Sequence, residues 1–493
     1  MLFNRWNLDR GQTGLLAAIL VITLAASLGC LANGFAFDDD GQIVDNRFIG
    51  SWSYVLTAWH SDVWWCRNPS PAPQSGYYRP IQTMCFIAGY HLFGRNPIGW
   101  HAFKIVLHLF CVLAAFRLAQ LLTRDKEVAL VAALLFGVYP EHAEAVAWIA
   151  AFAQPVAAIL DIAAMCLIVQ ADPRSRFPVA PIVLAGLAML TYEGAIVFPA
   201  IVAAYFFFVP AAGASSDFRS RFVNASLRAI PYLIPAIIYL TARFEVLGLY
   251  GLEAEGAAHS FAQVVATQPS AMFFYLSTIA RPRTAGPSHA IEWVESFKSP
   301  NFYVPALKMA VIAITVWALL RRSPRRNLYL FCIAWFLIAI APAMNLNGLW
   351  DLVQDRYLYA PALGIFVILA DAGVRAVREY HLERWGIACL GLVTAAYAIA
   401  FWNVHSYWKD TPTYYAYCAE AHPKMPKYRI RLEEWYETHG DWHAAKKEAL
   451  TLEALEPDNP TAHLRLEIVY QHLGEKALAN QEFLKSMPAE MRK

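Results

Sequence analysis

The chain has 493 residues, 58% of them hydrophobic and only 16% charged, which is too little charge for a soluble protein of this length. Forty Lys and Arg against 38 Asp and Glu leave a formal net charge of +2; this excludes an electrostatic nucleic-acid binder, which needs a strongly basic face. The eight cysteines show no CxxC or other metal-ligand spacing.

Apolar stretches of about 20 residues, each able to cross about 30 Å of hydrocarbon as a helix, fill the first 400 residues. They predict an all-α, polytopic transmembrane helix bundle of about 11 spans: 12–33, 100–122, 128–147, 149–170, 179–192, 194–209, 229–248, 302–320, 328–344, 357–374 and 385–402. The first span follows Arg5 and Arg10, in the manner of a signal peptide. SLGC at 27–30 lacks the leucine of a lipoprotein site, and no A-x-A precedes the acidic run, so an uncleaved anchor is expected.

Orientation follows from basic residues in short loops, which stay cytoplasmic. With the N-terminus inside, the even loops carry Arg124 and Lys126; Arg174 and Arg176; Arg219, Arg221 and Arg228; RRSPRR at 321–326; and Arg375, Arg378 and Arg384. The odd loops, and everything after about residue 403, are then expected outside, in an inner (plasma) membrane setting.

The polar motifs fall on that outer side. The first outer loop, 34–99, holds FAFDDDGQIVDN at 35–46, WHSDVWW at 59–65 and YYRP at 77–80; Cys66 and Cys85 share this loop and are candidates for pairing. Span two adds His101, Lys104 and His108 at i, i+3 and i+7 on one helical face. The following outer segments are VYPEHAEAVAW at 138–148, LTYEG at 190–194, the long 249–301 region and QDRYLY at 354–359. Ionisable groups at the rim of a bundle are costly unless they line a cavity, so the five segments together read as one site. The alternatives are a polar helix exit or calcium turn for the acidic triplet, a snorkelling Lys104, and headgroup anchoring for single arginines.

After Tyr407 the composition turns charged and helical. A 34-residue period pairs Pro426 with Pro460, Leu432 with Leu466, Tyr436 with Tyr470, Gly440 with Gly474 and Ala445 with Ala479, which predicts tetratricopeptide repeats behind a degenerate leading helix at 411–424. Two domains are expected, 1–407 in the membrane and 408–493 outside it; such repeats bind peptides or proteins, or act as a cap.

With these motifs assembled, the whole chain resembles the membrane-embedded C-type (GT-C) glycosyltransferases that carry tetratricopeptide repeats, the group of the transmembrane O-mannosyltransferases and their bacterial relatives. FAFDDDGQIVDN is similar to the family's F-x-x-DD-x-x-x-I-x-x-N loop. YYRP followed by NPIGWHAFKIVLH resembles YYRP and N-P-x-x-x-H-x-x-N-x-x-x-H, with Lys104 in place of asparagine. VYPEHAEAVAW resembles H-P-x-H-x-E-A-V-A-W with Tyr139 for the first histidine, and Phe152 and Gln154 stand where an arginine and an acid are usual. LTYEGAIVFP resembles L-S-K-E-x-A-x-x-x-P with Tyr192 for lysine, and QDRYLYAPALG resembles E-R-Y-L-Y-x-P-x-x-G.

The resemblance implies an inverting transfer of a sugar, mannose or another hexose, from a polyprenyl-phosphate carrier to a hydroxyl of a protein or glycan on the outer face. Asp38 is the expected general base, with Asp39 positioning the acceptor or raising the base by like-charge repulsion. Arg79, Arg243 and Arg356 are expected at the lipid phosphate, with His142, Glu144, Glu193, His101 and Lys104 completing the binding pocket. The fourth outer region, with an in-plane helix over 268–282, is expected to receive the isoprenoid tail among membrane lipids. No cofactor or metal is expected, since arginines can stabilise the departing phosphate; a lipid-sugar transporter or a membrane-anchored scaffold are the rival readings.

Overall fold

The computed structural model describes residues 8–70, 72–171, 179–210, 217–248, 259–281, 285–289, 291–344, 352–423 and 425–487. Arg5, Arg174 and Arg176, and residues 249–258 of the fourth outer region, lie outside them. The described residues are helical with no strand, and by contacts the chain divides into two units. The first is Met1–Asn33, Asp38–Gly286 and Ile291–Ser406; the second is Gly34–Phe37, Pro287–Ala290 and Tyr407–Lys493.

Among the described residues, seven helices are long and apolar enough to cross a membrane: Arg10–Ala32, Pro97–Thr123, Ala153–Gln170, Phe218–Leu247, Pro300–Arg322, Arg326–Ala343 and Glu383–Trp408. Val179–Thr191 and Glu193–Phe208 are shorter apolar helices. The expected span 128–147 differs. Its helix, Lys126–Val138, stops because Tyr139 precedes Pro140 and takes an extended conformation (φ −64°, ψ 122°); a proline disfavours helical backbone at the residue before it. The chain resumes as a short helix, His142–Ala147, so Glu141, His142 and Glu144 sit on a turn instead of a continuous rod.

At the centre, Pro97–Thr123 packs against Lys126–Val138 and Ala153–Gln170. Buried Ala115, Ala119, Ala129, Ala132, Ala133 and Ala164 keep side chains short there, which lets helix backbones approach closely where no water drives them together. Pro300–Arg322 is the opposite case: Leu307, Ile314, Trp317 and Leu319 are all exposed, as a face turned to lipid requires. The helix expected over 268–282 runs from Phe261 to Thr278 and packs on Pro300–Arg322.

In the second unit, Thr411–Ala421 is followed by two helical hairpins, Pro426–Thr438 with Trp442–Leu455 and Pro460–His472 with Lys476–Ser486. The period of 34 is structural: Gly440 and Gly474 turn the two hairpins with the same φ of +76°, a left-handed conformation that costs other residues a Cβ clash. Ala445, Ala449, Leu466, Val469, Tyr470 and Ala479 form the core between them. Phe37 belongs to this unit, where its ring stacks on Tyr414 at 4.6 Å and its N–H donates to Thr411 Oγ1 at 2.8 Å.

Candidate functional site

Asp38 and Asp39 lead into a widened helical turn, Asp40–Val44. Gly41 is required there for space: a Cβ would lie 2.8 Å from the Trp64 ring and 3.0 Å from Arg67 Nε, so only glycine lets the loop close down on these two side chains. Arg67 in turn lies over the Trp64 ring, 4.3 Å from its centroid. Burial pushes the Asp38 carboxyl up to about 6, against the opposing pull of Arg356, Arg67 and Arg79. The acid and the two arginines expected opposite it are therefore brought together, and Arg67, which the motifs did not single out, joins them.

Arg79 and Arg356 are each fixed by a glutamate from a distant segment. Arg79, at the start of helix Pro80–Phe93, donates from Nε and Nη2 to both Glu193 oxygens at 2.7 and 2.6 Å, a two-pronged pair, and from Nη1 to Gln82 at 3.3 Å. Its guanidinium also faces the rings of Tyr77 and Tyr192, 4.6 and 5.4 Å from their centroids. Arg356 donates from Nη1 to Glu144 Oε1 at 2.5 Å, and its backbone N–H donates to Glu144 Oε2 at 2.8 Å, so one carboxylate holds both the side chain and the turn that presents it. The Trp148 and Tyr357 rings each lie 4.9 Å from its guanidinium carbon. Arg67, Arg79 and Arg356 thus all act on the Asp38 carboxyl, and two of them are held by carboxylates of their own, Glu193 and Glu144.

Other expected site residues are placed differently. Asp39 is buried and its Oδ1 accepts from Ala150 N–H at 2.6 Å, while Lys104 acts on it through space. Burial is the largest cause that raises Asp38. Lys104 and His101 are buried in the Pro97–Thr123 helix, with the Lys104 ammonium 5.7 Å from the Phe152 ring centroid. His142 is fully buried, its Nδ1 2.9 Å from the Phe136 carbonyl and its ring against Tyr359, so it underlies the 354–359 turn. Arg243 donates to the Gly76 carbonyl at 3.0 Å, bracing the loop that carries Arg79. Cys66 and Cys85 are not bonded to each other.

A cavity opens beside Arg356 and Tyr192 and runs between the helices Ala153–Gln170 and Arg326–Ile340. Among the described residues, one group has metal-ligand proximity: Glu453, His463 and Glu482, in the second unit, within 4.8 Å of one another. Lys485 already donates to both of those carboxylates, at 3.1 and 2.8 Å.

A membrane-embedded helical protein whose half-buried acid faces arginines held by far-off glutamates is the class these features define, and the chain resembles the C-type membrane glycosyltransferases. No family model matches it. Its sequence is 23% identical over 94% of the chain to the protein O-mannosyl-transferase TMTC3 of Mus musculus and 21% identical over 97% to that of Homo sapiens. It is 33% identical over 23% of the chain to the protein O-mannosyl-transferase TMTC4 of Homo sapiens, covering 17% of that protein. The chain spans about half the length of the two TMTC3 relatives, 54% and 55%. Among solved structures, the apo oligosaccharyltransferase of Archaeoglobus fulgidus is similar at a TM-score of 0.43 and 14% identity, over 86% of this chain and 60% of that one. ArnT of Cupriavidus metallidurans is similar at 0.42 and 14%, over 97% and 76%.

Proposed function

We propose that the chain is an inverting, polyprenyl-phosphate-dependent glycosyltransferase that moves a hexose such as mannose to a hydroxyl, of protein Ser or Thr, on the extracytoplasmic face of the membrane. The observation that carries the reading is the half-buried Asp38 carboxyl set against Arg79, Arg356 and Arg67. The relatives' name, protein O-mannosyl-transferase, supports the same reaction.

The acceptor hydroxyl is a weak nucleophile until its proton has somewhere to go. As its oxygen bonds to the anomeric carbon, Asp38 takes that proton and the bond from anomeric carbon to phosphate oxygen breaks on the opposite side of the sugar ring. The leaving polyprenyl phosphate keeps the electron pair, and the N–H groups of Arg79 and Arg356 not engaged by Glu193, Gln82 or Glu144 stabilise its charge. Since the glutamates hold those guanidiniums before the lipid arrives, little reorganisation is needed at the moment of transfer. Arginines also relieve the reaction of any requirement for a metal ion, and the repeats supply the surface for a protein acceptor.

The test is transfer by the full chain, reconstituted in liposomes with polyprenyl-phosphate mannose and Ser/Thr-containing polypeptide, read as mannose on the polypeptide and repeated with a chelator. Product in both arms supports the reading. Movement of the lipid between leaflets without any transfer would establish a transporter instead.

A further inference from the structure

Two acceptor atoms inside the membrane unit have no role in the reaction described above. Asp161 Oδ1 and Gln154 Oε1 are shut off from solvent and have no hydrogen-bond partner among the described residues. Both side chains line the cavity beside Arg356. Asp161 stands eight residues into Ala153–Gln170, about 12 Å along the helix from its start. A carboxyl in an apolar membrane helix is retained only where something meets it.

The lining dictates what that is. Arg356 at one side calls for an anion, whereas Asp161 and Gln154 call for hydrogen-bond donors, and the Tyr192 and Tyr357 rings offer flat faces to a ring. A hydrocarbon tail would meet the guanidinium's demand through its phosphate but would leave both buried acceptors unpaired. A sugar joined to a phosphate meets all of them at once.

We infer that Asp161 and Gln154 form the subsite that recognises the hydroxyls of the donor's sugar while its phosphate lies at Arg356; this rests on the function proposed above. Asp161 is the stronger determinant of which sugar is accepted, because a site built to bind a hydroxyl discriminates sharply against a ligand that lacks one in that place.

The experiment measures binding of two probes, a polyprenyl phosphate and the same lipid carrying mannose, glucose, galactose or N-acetylglucosamine, to the full chain in nanodiscs. The wild type binds its preferred sugar-lipid at least about tenfold more tightly than the bare lipid phosphate. Asp161→Ala removes that increment and leaves bare-lipid binding within about twofold of wild type, which also shows that the variant is folded. Asp161→Asn, which keeps one acceptor, restores part of it. If Asp161→Ala weakens both lipids equally, or leaves the increment intact, the subsite is overturned while the proposed function stands. If the wild type binds neither lipid, the proposed function falls and takes the subsite with it.

Discussion

A carboxylate takes a proton from a hydroxyl best when its own pKa lies near the working pH. Asp38, raised to about 6 by burial, is in that position, and it predicts a profile of kcat/KM that falls about tenfold per pH unit below pH 6 and levels above it. The same shift has a cost of known sign. Folding favours the protonated carboxyl, so its contribution to stability is complete below the unfolded value near 4 and is lost as pH rises through about 6. Arg67 pulls the Asp38 value down, so Arg67→Gln should move the midpoint of the rate profile to higher pH, and an unmoved midpoint would remove Arg67 from the site. The acidic triplet, Arg79 and Arg356 were legible as motifs. Arg67 was not, because its proximity depends on Gly41 and Trp64 folding the first loop back on itself. Asp161 carried a readable signal, a lone acid in the apolar run AAILDIAAMC, but only the cavity shows what it faces.

Among the elements, the decisive ones are turns. The hydropathy pattern placed the helices well, since length and apolarity fix them, but it ran through Pro140 and so hid the turn that delivers Glu144 to Arg356. Pairings such as Arg79 with Glu193, 114 residues apart, have no local sequence signature at all. Glu144→Gln keeps the shape and removes the charge that orients Arg356, so turnover should drop about 10- to 100-fold with thermal stability lowered as well, measured by single-turnover transfer and by unfolding in the same preparation. In the second unit, alanine at Gly440 or Gly474 should each cost on the order of 1 kcal/mol through the left-handed backbone, read as a lower melting midpoint, with the two losses additive.

Across the whole molecule, charge is sorted by loop. Arg378 pairs with Asp125 and Glu127, Arg325 with Asp371 and also with the Thr123 carbonyl, and Arg375 with Asp371, so the loops expected inside are tied to one another. The loops expected outside are tied together as a separate group through Arg79 and Arg356. The arginine count in the sequence carried that sorting, whereas the partners needed the fold. Removing residues 424–493 should impair transfer to a protein acceptor several-fold more than hydrolysis of the lipid-linked sugar, if the repeats hold the acceptor; equal losses would assign them a structural role. The most direct measurement is of Asp38→Asn, assayed side by side for sugar transfer and for binding of the lipid-linked donor. With Asp38 as the base, transfer falls by about 10²- to 10⁴-fold while donor binding is unchanged. Turnover close to that of the wild type would show that the proton goes elsewhere.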